Sequence, residues 1–128
     1  NIPGMTSGKK HILVIDDDAR MLKVIKLHLH EKYDVATAIS GKIALKFLET
    51  KHTDLILLDY AMPDENGLVV LEKLRANPST KNIPVIFLTG ITDRKKIQEA
   101  LVMKPQGYLL KPINRKRLLA AIQNILEA

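Results

Sequence analysis

The 128-residue sequence contains no cysteine and no tryptophan, and only 4% of it is aromatic. Without cysteine there is no disulfide framework, no thiolate metal site and no thiol nucleophile, and a reducing compartment fits best. The scarcity of rings removes the interleaved stacking groups of a single-strand nucleic-acid binder, and neither a helix-turn-helix signature nor zinc-ligand spacing appears. No apolar run approaches the roughly 20 residues of a membrane span. The expected place is therefore the cytoplasm, with no membrane partner. Internal repeats and low-complexity segments are also missing.

What is present is basic and of ordinary hydrophobicity. Twenty Lys and Arg against fourteen Asp and Glu give a net charge of +6, and 46% of the residues are hydrophobic. The length suits one domain with a single two-faced core. The basic clusters Arg94-Lys95-Lys96 and Arg115-Lys116-Arg117 read as solvated helix faces, so direct nucleic-acid binding is not expected. Residues 1–8 are polar and aperiodic; they are expected to be a disordered N-terminal segment, in part a cloning remnant ahead of Met5. The folded domain is expected over residues 9–128.

The central stretch is Leu55-Ile56-Leu57-Leu58, which ends at Asp59 and gives way to a loop containing Pro63, Asp64, Asn66 and Gly67. Four large apolar residues with no polar alternation predict a strand buried on both faces, as in the middle of a parallel sheet. A similar run, His11 to Ile15, ends at Asp16, Asp17 and Asp18. Asp18 is the expected cap of a helix from Ala19 to His30, with Met21, Leu22, Ile25 and Leu29 on its apolar face. His28 and His30, two apart, do not share a helix face and read as surface residues.

Tyr33 to Ala38 is a mixed, edge-type strand, and Ser40-Gly41 opens a helix through Ala44, Leu45 and Leu48. Leu68, Leu71 and Leu74 mark a third helix closed by Asn77-Pro78. Ile83 to Leu88 is the next buried strand, with Pro84 near its start, and leads into Thr89-Gly90. Asp93 is the expected cap of a helix carrying Ile97, Ala100 and Leu101. The short strand Tyr108 to Leu110 precedes Lys111-Pro112, and Asn114 caps a last helix striped by Leu118, Ala121, Ile122 and Ile125.

Strand and helix thus alternate five times, the pattern of a doubly wound α/β parallel sheet. Placing the apolar runs centrally, with right-handed crossovers, predicts the strand order 2-1-3-4-5. The carboxyl ends of all strands then share one edge, which gathers Asp16, Asp17, Asp59, Thr89 and Lys111. Three crowded carboxylates repel unless a cation joins them, and a ligand set of oxygen alone selects a hard ion, magnesium before zinc. Lys111 adds fixed positive charge and Thr89 a hydroxyl donor, a set suited to a phosphoryl group.

Ile15-Asp16-Asp17, Asp59 with Met62-Pro63 and Asn66-Gly67, Thr89-Gly90, and Tyr108 with Lys111-Pro112 together resemble the receiver domain of two-component response regulators. The resemblance spans Lys10 to Leu126 and implies the flavodoxin-like receiver fold. It implies that Asp59 accepts a phosphoryl group from a sensor histidine kinase or a histidine phosphotransfer protein. It also implies that Asp17, Asp59 and the backbone carbonyl of Ala61 bind magnesium directly, with Asp16 acting through water. Thr89 and Tyr108 would form the switch, Lys111 would hold the phosphate, and the 94–117 face would meet another copy or an output domain. Such a domain is no metabolic enzyme, although it promotes its own phosphorylation and dephosphorylation.

Two departures bear on phosphoryl lifetime. Gly90 stands where the family most often has alanine, and Ala61 offers no polar side chain to an attacking water, so slow self-dephosphorylation is expected. Met103-Lys104-Pro105-Gln106 replaces the small residues usual before Gly107. Among rival functions, a phosphohydrolase of the aspartyl-phosphate type needs a second Asp two positions after the first, where Ala61 stands. A nucleotide-binding module of the same topology needs a Gly-rich or hydroxyl-rich loop after the first strand, where this chain has three carboxylates.

Overall fold

Buried apolar runs and amphipathic stretches sort into strands β1 (His11–Ile15), β2 (Asp34–Ala38), β3 (Leu55–Asp59), β4 (Val85–Thr89) and β5 (Gly107–Leu110). They alternate with helices α1 (Ala19–Leu29), α2 (Gly41–Leu48), α3 (Gly67–Ala76), α4 (Arg94–Val102) and α5 (Arg115–Leu126). The computed structural model describes residues 8–90, 94–102 and 104–127. The expectations for Asn1 to Ser7, for Asp93 as a cap and for Met103 lie outside the described residues, as do the side chains of Arg94, Lys96 and Ile97.

The strands pair in parallel in the order β2-β1-β3-β4-β5, as expected. Every residue of β3 and β4 is buried, whereas β2 and β5 are only partly covered. Alternation along the central strands feeds two cores. Leu13, Ile15, Ile56, Leu58, Val85 and Phe87 pack with Ala44 of α2, Val70, Leu71 and Leu74 of α3, and Ala100 of α4. Ile12, Val14, Leu55, Leu57, Ile86 and Leu88 pack with Leu22, Ile25 and Leu29 of α1 and with Leu118 and Ile122 of α5. Each core is sealed by helices on its own side, so the polar strand ends are left as the accessible edge.

Side-chain caps start four of the helices, at Asp18, Ser40 and Asn114 as the sequence predicts and at Asn66 in addition. Asp18 accepts the Arg20 N–H, Ser40 the Ile43 N–H, Asn66 the Val69 N–H and Asn114 the Arg117 N–H. Each cap satisfies a donor that the first helical turn leaves unpaired.

Several boundaries differ from the sequence expectation for identifiable reasons. β4 begins at Val85, after Pro84, whose missing N–H delays the ladder. Tyr33 is buried against the α1/α5 core but precedes β2. Leu101 is 44% exposed, which removes it from the core stripe of α4. Tyr108 is 43% exposed. The unusual turn before β5 has its own bonding: Lys104 adopts a left-handed φ of 53°. Beyond it, the Gln106 side-chain oxygen accepts the Val85 N–H at 2.7 Å, while the Gln106 N–H donates to the Val85 carbonyl at 2.8 Å.

Candidate functional site

The site lies at the carboxyl ends of β1, β3, β4 and β5. Asp16 and Asp17 follow β1, Asp59 closes β3, Thr89 closes β4, and Lys111 follows β5. Backbone ladders extend into these ends: the Asp16 N–H donates to the Ala38 carbonyl at 3.1 Å, the Tyr60 N–H to Leu88 at 3.0 Å, and the Lys111 N–H to Thr89 at 2.8 Å. The main chain that carries the polar groups is therefore held in the sheet and is no free loop.

Asp16, Asp59 and Thr89 are buried, with exposures of 0%, 2% and 5%, while Asp17 faces solvent. One carboxylate oxygen from each of Asp16, Asp17 and Asp59 lies within 4.8 Å of the other two. Lys111 Nζ bridges the two buried carboxylates, at 3.0 Å from Asp59 Oδ1 and 3.2 Å from Asp16 Oδ2. The other Asp16 oxygen, Oδ1, accepts the Asp18 N–H at 2.9 Å.

These contacts set the protonation balance. Burial pushes the Asp59 carboxyl up to about 6; the bond from Lys111 opposes the rise and the neighbouring Asp16 charge adds to it. Burial pulls the Lys111 ammonium down, but Asp59 and Asp16 together outweigh it and raise it above its ordinary value. One cation shared between two buried carboxylates does not fully compensate Asp59. The cluster retains unbalanced negative charge toward solvent, on the side of Asp17. Its donors are all oxygens, which fits a hard divalent cation such as magnesium.

The loop after Asp59 returns tightly to the strand. The Gly67 N–H donates to the Tyr60 carbonyl at 2.7 Å. A Cβ at position 67 would lie 2.5 Å from the Asp59 carbonyl oxygen and 2.9 Å from Tyr60 Cα, so only glycine admits this closure. Ala61 lies in the closed loop with its side chain exposed. At Gly90 an added Cβ would meet open space, so glycine there is not a packing requirement.

The structure thus brings together Asp16, Asp17, Asp59 and Lys111, and places Thr89 on the adjoining strand end. Tyr108 lies apart, near the start of β5, on the outer edge of the sheet. Sequence reasoning missed the bridging of Asp16 by Lys111 and the partial burial of Glu65 beside Gly41 of α2. Neither has a local signal, because each contact is made across the fold.

The chain matches the family described as response regulator receiver domain over residues 12–123. It is 36% identical over 103 residues to a probable cyclic di-GMP phosphodiesterase of Vibrio cholerae, covering 80% of this chain and 23% of that protein. It is 34% identical over 115 residues to the response regulator PleD of Caulobacter vibrioides, covering 89% of this chain and 25% of PleD. The chain therefore spans about a quarter of the length of these relatives. The chemotaxis protein CheY4 of Vibrio cholerae superposes with a TM-score of 0.87 at 29% identity, covering 92% of this chain and 99% of that one. Sequence motif, strand order and the acidic edge agree with one another: this chain belongs to the receiver domain family of two-component response regulators.

Proposed function

We propose that Asp59 is the phosphoacceptor, with magnesium held by Asp17, Asp59 and the Ala61 carbonyl and supported by Asp16 through water. The observation that carries this is a buried carboxylate at the end of the central strand, within 4.8 Å of two others and bonded to a lysine. In transfer from a phosphohistidine, an Asp59 oxygen forms the new bond to phosphorus. The phosphorus–nitrogen bond breaks, and its electron pair stays with the donor imidazole. Lys111 balances the phosphoryl charge, and Thr89 donates its hydroxyl to a phosphoryl oxygen. When bound, magnesium supplies the positive charge that lets carboxylate and phosphoryl oxygens approach one another. The partner is a sensor histidine kinase or a histidine phosphotransfer protein, and the setting is the cytoplasm.

Metal dependence is the direct test. An ion that binds only the folded protein stabilises it by mass action, by about 2.7 kcal/mol at a hundred times its dissociation constant. Thermal unfolding is expected to shift upward with magnesium, and Asp17→Ala to lose most of that shift. An unchanged melting point, or the same shift in both proteins, would remove the shared ion site. A receiver is also expected to modify itself once and stall, whereas a phosphohydrolase would release phosphate continuously from a generic phosphomonoester.

The output is proposed on the 94–117 face. Leu101, Val102, Tyr108 and Leu110 expose apolar surface there, and Arg115, Lys116 and Arg117 are exposed beside them. A phosphoryl group on Asp59 draws Thr89 and Lys111 toward it, and Tyr108 turns inward into space that Thr89 leaves. A second copy or an output element that presents carboxylates would meet this face and bind more weakly as salt rises. Backbone amide shifts with a magnesium-dependent phosphoryl mimic are expected to reach Tyr108 and α4. Shifts confined to the loops around Asp17 and Asp59 would leave a phosphate store or shuttle as the better account.

A further inference from the structure

The loop between β3 and α3 is closed at its neck by Gly67, and it is also held at its tip. There Glu65 Oε2 forms an ion pair with Lys73 Nζ, two turns along α3. Glu65 Oε1 lies against Gly41, the first residue of α2, where a Cβ would come within 2.6 Å of that oxygen and 2.5 Å of Val70 Cγ2. A Cβ there would require the Glu65 carboxylate and the Val70 methyl to shift. The carboxylate also sits at the positive end of α2, whose N-terminal turn carries no acidic residue of its own. Glu65 is 24% exposed at its side chain and shares with Asp17, Ser40 and Met62 the wall of a cleft beside the acidic cluster.

We propose that Glu65 is a positioning residue for the divalent-ion site. Held between α2 and Lys73, it fixes the 60–66 loop in one conformation before any ion arrives and so presets the main chain at Ala61. This rests on the reading that the cluster takes magnesium and that the Ala61 carbonyl is the ligand this loop contributes. A loop without its brace must be ordered by the ion itself, and that ordering is subtracted from the binding free energy. Glu65 is not placed as a ligand: one oxygen is paired with Lys73 and the other lies against the first residue of α2. Sequence spacing alone would class it as a solvated loop acid.

Three substitutions reach the brace by separate routes: Glu65→Ala removes the carboxylate, Lys73→Met removes its cation, and Gly41→Ala adds a Cβ that displaces the Glu65 oxygen from its place against α2. Calorimetric titration of the 128-residue protein with magnesium chloride gives the affinity. Hydrogen exchange of the loop amides in chelator reports the conformation without metal. Each variant is expected to bind magnesium about tenfold more weakly, at the low end of what loss of an outer-sphere support costs a metal site. Loop exchange should be faster in each, and Glu65→Gln should recover part of both losses. Magnesium affinities within twofold of wild type for Glu65→Ala and Lys73→Met would overturn the proposal, even if the melting point fell. Wild type that binds no magnesium would overturn the ion site itself, a result distinct from equal binding by wild type and variants.

Discussion

Asp59→Asn is expected to abolish phosphoryl incorporation from acetyl phosphate and magnesium, while the wild-type chain gains the mass of one phosphoryl group. The amide keeps the shape of the carboxylate but is neither a nucleophile nor an anionic ligand. Asp59 is expected to be the attacking carboxylate because Lys111 sits at 3.0 Å from its Oδ1 and its backbone is fixed in the central strand. Asp16 is less accessible, fully buried with one oxygen on the Asp18 N–H and the other on Lys111. Intact-mass measurement reads the outcome. Full labelling of the Asn variant would move the acceptor elsewhere, and Asp17, exposed and within the same cluster, would be the first position to examine.

The same substitution is expected to stabilise the metal-free protein at neutral pH. Asp59 is raised from its ordinary 3.8 to about 6, chiefly by burial. Between those values the unfolded chain has lost the proton and the folded chain retains it. Stability contributed by this group therefore falls as pH rises through that window, and the full cost is present above about pH 6. A displacement of about two pK units corresponds to about 3 kcal/mol. In chelator, Asp59→Asn should exceed wild type by about 2 to 3 kcal/mol at pH 7.5, and the difference should close toward the low end of the window. Denaturant unfolding of both proteins at matched pH values measures it. Asp54 does not confound the comparison: burial pushes it up, but bonds from the His11 N–H and the His52 ring hold it below its ordinary value. Its contribution is lost only at lower pH and is common to both proteins. Equal stability at every pH would mean that Lys111 compensates Asp59 completely.

Both predictions come from an arrangement only partly written in the chain's local pattern. Strand and helix alternation was legible because apolar runs such as Leu55 to Leu58 carry a period of their own, and the order of the strands followed from which runs lacked polar residues. The acidic edge followed in turn, since a parallel sheet brings all carboxyl ends to one side whatever the loops contain. Asp18, Ser40 and Asn114 could be named as caps or helix openers because capping acts within three residues.

The sequence by itself therefore determined the fold class, the strand order and the identity of the residues at the acidic edge, since each depends on periodicity or on a residue's place at the end of a run. Tertiary structure alone decided the rest. It put Lys111 between Asp16 and Asp59, turned Tyr108 and Leu101 toward solvent, seated Gln106 on the first N–H of β4, and pressed Glu65 against Gly41. These are contacts between side chains far apart in sequence or choices between two faces of one element. Their free energies come from packing and burial that exist only once the sheet has closed, and no local pattern encodes them.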